Sequence, residues 1–260
     1  MTAAFAKAQH WVEETCAGAG YTLDLLFRAV RRLTQMGRKR REILQQLSRC
    51  TFGSFPVVFI VALFTGMTLA LQTGTQLQRF GQEGTLGYIV AAAMCREMGP
   101  VFTAIALAGL VGSTFAAEIG TMKVSEEVDA LEVMSIDPVY FLVMPRLLAL
   151  ALAAVVLTIY ADAIGILGGA LMAKATFQVD LSIFFKNARD VLELKDVYGG
   201  LLKALVFGTT IATVAAGQGL RAEHGAEGVG RATLRAVVIG FICVLAFNYF
   251  LTWILYKLEW

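Results

Sequence analysis

Charge is scarce in this chain: 16% of its 260 residues are Asp, Glu, Lys or Arg, 57% are hydrophobic, and mean hydropathy is +0.67. A soluble domain carries about 25% charged residues, so this balance excludes an ordinary soluble fold and specifies an integral membrane protein. Histidine is almost absent, with His10 and His224 alone, which excludes a histidine-based metal centre. The four cysteines, Cys16, Cys50, Cys95 and Cys243, are single and widely spaced, so neither a disulfide framework nor a CxxC metal site is expected. No GxxxxGK[ST] string occurs, and the chain therefore does not bind and hydrolyse ATP by that route. GxSxG and HExxH strings are missing too, leaving a membrane hydrolase without a visible nucleophile or metal helix. The first fifty residues lack the basic start, short apolar core and small-residue cleavage site of a signal peptide.

What the chain has in abundance is long apolar runs. Cys50 to Gln78 contains no charge. Gly84 to Ala117 is interrupted by Arg96 and Glu97, and Leu147 to Ala173 by Asp162; Ala204 to Leu220 and Ala236 to Tyr256 complete the set. Each run can cross a bilayer as a helix, the form in which a chain satisfies its own backbone hydrogen bonds in lipid. The expected fold class is an all-α integral membrane protein. It divides into N-terminal interfacial amphipathic helices over residues 1–50 and a five-span membrane domain over residues 51–260. Five spans put the termini on opposite sides.

Orientation follows from Lys and Arg near span ends, which tend to stay in the cytoplasm. Eight of the 22 basic residues fall between Arg28 and Arg49, including the run from Arg38 to Arg41. That bias places the N-terminus in the cytoplasm and the C-terminus outside. One segment runs against it: Lys174 to Lys203 holds five basic residues yet lands outside, with Asp180, Asp190, Glu193 and Asp196 among them. A small folded extracytoplasmic helix pair over about residues 175–200 accommodates those charges. At the other end, Phe5, Trp11, Val12, Leu25, Leu26, Phe27, Val30 and Leu33, set among Arg28, Arg31 and Arg32, read as amphipathic helices lying on anionic headgroups. Gly225 to Gly230, GAEGVG, reads as a flexible cytoplasmic turn.

Between the second and third spans, the segment from Glu118 to Arg146 has the signs of a short acidic helix. Ser125 supplies an N-cap hydroxyl and Glu126 and Glu127 the first-turn carboxylates that a helix dipole favours. Pro138 follows its end. Val128, Leu131 and Met134 recur every three residues and share a face, away from Glu127, Asp129 and Glu132. At about ten residues this helix is too short to span a membrane that requires about 20. Two readings stand: a solvated helix packed on its own protein, or a surface presented to a partner.

Charges inside spans are expensive, at least ~2.5 kcal/mol each on insertion scales. Arg96 and Glu97 are sequence neighbours and point about 100 degrees apart on a helix, so each is expected to find its partner on another segment. Gly99 and Pro100 follow directly and favour a kink. The pair is either the wall of a polar cavity or a structural tie. Asp162 is a further intramembrane polar candidate.

The strings REMGP (Arg96 to Pro100), AEIGTM (Ala117 to Met122), EEVDALEVMSIDPVYFLVMPR (Glu126 to Arg146), GILGG (Gly165 to Gly169) and GVGRATLRAVV (Gly228 to Val238) resemble the MlaE family. That family comprises permease subunits of ABC transporters that work with MCE-domain proteins to move phospholipid between the membranes of diderm bacteria. The resemblance runs in order from about Phe52 to the end. It implies interfacial N-terminal helices and five spans in the bacterial inner membrane, a homodimer, and two cytoplasmic ABC ATPase subunits docked on a coupling helix at about Ser125 to Ser135. ATP and magnesium would then be held by the partner ATPase, with no cofactor and no catalysis in this chain. An MCE-domain periplasmic protein would sit over the dimer, and the transport would help maintain outer-membrane lipid asymmetry. Arg96 and Glu97 map to the lipid cavity, with Leu69, Leu77 and Phe80 of the first span as apolar lining. The alternative is an ion-coupled secondary transporter of a hydrophobic substrate, with Glu97 or Asp162 as the ion site. Nothing points to nucleic acid as a partner.

Overall fold

The computed structural model describes residues 18, 20–32 and 39–258. Phe5, Trp11, Val12 and Leu33, named above for the interfacial segment, lie outside the described residues. Among those described, every regular element is helical. We number the helices α1 (20–31), α2 (Arg40–Gln78), α3 (Glu83–Val124), α4 (Glu127–Val133), α5 (Val139–Phe177), α6 (Leu181–Val191), α7 (Leu194–Leu220) and α8 (Gly225–Lys257). The five long ones, α2, α3, α5, α7 and α8, are long and apolar enough to cross a membrane.

Small residues let these helices approach closely, which matters in lipid because burial of apolar surface does not itself drive helix association there. α2 and α5 run in parallel with their backbones in contact. A methyl group at Gly66 would lie 1.9 Å from the carbonyl oxygen of Gly165, and one at Gly168 would lie 2.6 Å from that of Leu63. α5 and α7 are the most enclosed spans and α8 the least. The main core joins Leu107, Phe115 and Ile119 of α3, Leu150 and Leu157 of α5, and Phe207 and Ile211 of α7. Leu25 and Ala29 of α1 belong to it as well, so this helix is docked on the bundle, with Phe27 and Val30 exposed. A smaller core at the opposite end gathers Leu86, Val90 and Met94 of α3 around Phe184 of α6.

Four expectations are corrected by these elements. α2 begins at Arg40, so the expected boundary at residue 50 falls inside a continuous helix. GAEGVG is helical from its first residue: Gly225 to Gly230 open α8, and a Cβ at Gly228 would collide with the backbone of Glu223. The extracytoplasmic helix pair is a single helix, α6, because α7 already starts at Leu194. Lys203, read from sequence as part of that loop, is 2% exposed inside the bundle. The acidic helix is shorter than expected, and Ser125 does not cap it. The Ser125 hydroxyl donates to the Thr121 carbonyl at 2.7 Å, ending α3, while Glu126 turns the chain in the left-handed region (φ 62°) and helix geometry resumes at Glu127.

Candidate functional site

Two regions carry the polar chemistry, one inside the bundle and one on α4. The inner region starts from a backbone defect in α3. Met94 to Met98 forms a wide π turn, a feature that often marks functional sites, and Pro100 follows without an N–H. The carbonyl of Arg96, four residues before the proline, thus loses its α-helical donor. Lys203 of α7 supplies a replacement, with Nζ 2.8 Å from that oxygen.

The same ammonium donates to Glu97 Oε1 at 2.6 Å and to Thr252 Oγ1 at 2.8 Å. Asn248 Nδ2 donates to the other Glu97 oxygen at 2.9 Å, and Thr252 Oγ1 stands 2.9 Å from Oε1. Asn248 and Thr252 are one turn apart on α8, so a single helix face closes around the carboxylate. Glu97 keeps about a third of its side chain exposed, whereas Lys203 is buried.

Arg96 is held differently. Its Nε and Nη2 donate to the two oxygens of Asp196 at 2.8 and 3.1 Å, a bidentate pair. Asp196 Oδ2 also accepts the Glu193 N–H at 3.2 Å, completing a capping box that starts α7. Asp196 is thereby fixed from both sides and is 5% exposed, while half of the Arg96 side chain remains open. A guanidinium has five N–H donors, and this pairing engages two of its nitrogens. The arrangement is a fixed cation with spare donors at the bundle surface, beside a closed Glu97–Lys203 pair. It offers electrostatic recognition of an anionic group, with no nucleophile or general base poised for chemistry. Among the described residues no group of His, Cys, Asp and Glu can hold a metal ion.

Arg96 and Glu97 do find their partners on other segments, as their angular separation requires. Those partners, Asp196 and Lys203, were missed in the sequence because both were read as loop charges. Two signals could have found them: the Glu193/Asp196 capping box just before an apolar run, and the seven-residue step from Asp196 to Lys203, which keeps both on one helix face. Asp162 is brought to the same part of α3, against Gly99, and not to either ion pair. Leu69 and Leu77 are half-buried against the Leu86–Phe184 core, and Phe80 is 76% exposed just beyond α2. Near the end of α2, Leu71, Gln72, Thr73, Thr75 and Gln76 line an open recess.

On α4, Val128 is buried, Leu131 half-buried, and Val133 and Met134 exposed at 86% and 60%. Glu126, Glu127 and Glu132 are also exposed, and Asp129 is tied to Lys123 at 2.6 Å. Two basic residues anchor the segment that follows: Arg32 pairs with Asp137 at 3.2 Å, and the Lys39 ammonium sits 3.8 Å from the ring centre of Phe141. α4 therefore stands on a base held by Arg32 and Lys39, its tip carrying two apolar side chains among carboxylates.

The sequence of this chain is similar to those of several known proteins. A permease of Rickettsia typhi, named a probable ABC transporter permease protein, is 41% identical over 215 residues, covering 83% of each chain. The intermembrane phospholipid transport system permease protein MlaE of Haemophilus influenzae is 34% identical over 233 residues, 89% of each chain. The chloroplastic protein TRIGALACTOSYLDIACYLGLYCEROL 1 of Arabidopsis thaliana is 35% identical over 212 residues, 82% of this chain and 61% of that one. The family described as Permease MlaE matches residues 43–254. That match reaches from the first turns of α2 to the last turns of α8, and the chain belongs to the MlaE permease family.

Proposed function

We propose that this chain is the transmembrane subunit of an ABC transporter that moves phospholipid between the inner and outer membranes of a bacterial envelope. It works as a homodimer in the inner membrane, N-terminus cytoplasmic, with two ATPase subunits on the cytoplasmic side and an MCE-domain protein on the other. ATP and magnesium are bound by the ATPases, and this chain performs no catalysis. Transport by this complex helps maintain the lipid asymmetry of the outer membrane.

The observation that carries this reading is α4. A helix of seven residues cannot span, yet it exposes Val133 and Met134 where a membrane protein gains nothing from leaving them in water. Docked in an ATPase groove, those side chains become anchors and the carboxylates a rim. α4 is joined to α3 through Ser125–Glu126 and to α5 through residues 134–138, so a push on it loads α3, which carries Arg96 and Glu97, and α5, which packs against α3. The half-open Arg96 then attracts a headgroup phosphate by a charge-assisted contact, and Leu69, Leu77 and Phe80 face acyl chains in the cavity between two permeases. Closure of the ATPases narrows that cavity. Such coupling needs a two-state element that both sites bias, and the π turn at Met94–Met98 supplies a deformable one.

Reconstitution tests it. The chain with its ATPase and MCE-domain protein should transfer labelled phospholipid between proteoliposomes in an ATP-dependent manner. Transfer that follows an imposed ion gradient and ignores ATP would support the ion-coupled transporter instead.

A further inference from the structure

Asp162 stands apart from both ion pairs. It lies in the middle of α5, 7% exposed, on the face that meets α3. A Cβ built on Gly99 would fall 1.7 Å from Asp162 Oδ1, so the carboxyl fills the notch left by that glycine's missing side chain. Oδ1 is buried and has no hydrogen-bond partner among the described residues.

Two hydroxyls continue the same seam. Spans α3 and α5 are antiparallel, so the helical repeat carries the seam from Gly99 and Asp162 one turn on to the levels of Thr103 and Thr158, 1% and 0% exposed. Threonines elsewhere in the spans bond their own helix: Thr75, Thr114, Thr210 and Thr233 each donate to the carbonyl four residues earlier at 2.7–2.8 Å. Thr103 and Thr158 do not, and both oxygens lack a partner among the described residues.

The surrounding charges cancel without Asp162. Arg96 is paired in charge with Asp196 and Lys203 with Glu97. Cys95 of α3 and Tyr160 of α5 are neutral in their ordinary forms, and α2 carries no titratable side chain between Thr51 and Gln78. An isolated carboxylate in the bilayer interior must be paired or neutralised. Among the described residues, oxygens and no free cation stand beside Asp162.

We propose that Asp162 anchors a binding site for one small monovalent cation, a proton or a sodium ion, in the seam between α3 and α5, with the Thr103 and Thr158 hydroxyls as the next oxygens along it. The chemistry common to both is a single positive charge that neutralises the carboxylate and holds α5 against Gly99. A proton makes Asp162 a neutral acid. A sodium ion leaves it ionised and sits among the seam oxygens.

The test uses the full-length chain in lipid nanodiscs. Thermal unfolding is followed while sodium is titrated against choline at fixed pH, and then while pH is raised in sodium-free buffer. In parallel, a hydrophobic carbodiimide, which reacts with protonated carboxyls, is applied and Asp162 modification is read by peptide mass spectrometry. A bound cation stabilises by mass action. If sodium is the occupant, the midpoint climbs with sodium and sodium protects Asp162 from the label. If the occupant is a proton, the midpoint and the labelling both fall as pH rises, and sodium changes neither. D162N, which keeps the shape and removes the charge, loses whichever response the wild type shows. The same midpoint responses in wild type and D162N, with Asp162 unlabelled in every condition, would overturn the proposal. Should D162N not accumulate, an unlabelled and sodium-indifferent wild type overturns it equally.

Discussion

Lys203 Nζ of α7 lies 2.8 Å from the carbonyl oxygen of Arg96 in α3, the oxygen whose helical donor is missing because residue 100 is proline. The same nitrogen neutralises Glu97 at 2.6 Å. One buried ammonium thus repairs a backbone defect and balances an intramembrane carboxylate, and in doing so it fixes α7 to the π turn of α3.

Removing that ammonium leaves the Arg96 carbonyl without its donor and Glu97 without its counter-ion, though Asn248 and Thr252 still bond the carboxylate. Breaking a buried pair from one side costs about 3–5 kcal/mol, and because Glu97 is a third exposed we expect about 2 kcal/mol for Lys203→Met. Thermal unfolding in nanodiscs measures it. The double variant Lys203→Met/Glu97→Gln should recover part of the loss, since the remaining carboxylate is then neutral; a double variant less stable than the single one would contradict a closed pair.

Arg96 has a structural and a proposed recognition role, and a pair of variants separates them. Arg96→Ala alone strands the buried Asp196 carboxylate, so it should lower both stability and lipid transfer. Arg96→Ala/Asp196→Asn removes the stranded charge and should restore the unfolding midpoint. Lipid transfer should stay reduced at least about fivefold, the size expected when a charge-assisted contact worth ~1 kcal/mol is lost. Recovery of transfer along with stability would assign Arg96 a purely structural role.

Backbone contact between α2 and α5 predicts a sharp difference between two glycines on one helix. Gly66→Ala places a methyl 1.9 Å from the Gly165 oxygen and should cost about 1–3 kcal/mol, the range for overpacking. Gly53→Ala meets nothing within 4 Å and should be neutral or slightly stabilising through helix propensity. Comparison of the two midpoints checks the packing directly.

The tip of α4 is exposed and makes little contact with its own bundle, so charges placed there should spare the fold. Val133→Asp and Met134→Asp together should leave stability within about 0.5 kcal/mol of wild type. Loss of two central apolar anchors of ~2 kcal/mol or more each should reduce ATPase retained on affinity-purified permease by at least about tenfold. An unchanged yield of ATPase would place the contact elsewhere.

Much of the fold was legible because a bilayer imposes one strong rule, that long apolar runs become helices, and all five spans follow from it. Less visible were the ends. Lys203 and Asp196 made a span look like a loop, since hydropathy counts charges and is blind to their pairing with Arg96 and Glu97. Ser125 had the sequence of an N-cap, yet its hydroxyl is taken by the Thr121 carbonyl behind it. The glycines of GAEGVG suggested a turn, whereas Gly228 is small because α8 starts hard against Glu223. For the candidate site, half of each ion pair could be named from the chain alone. The other half required knowing which helix faces which.

The proposed coupling of cytoplasmic ATPases to phospholipid movement is tested by affinity purification of the chain from native membranes, with mass spectrometry of both co-purifying proteins and bound lipids. An ABC ATPase, an MCE-domain protein and phospholipid are expected in the same preparation. A permease recovered alone, with neither ATPase nor phospholipid, would contradict it.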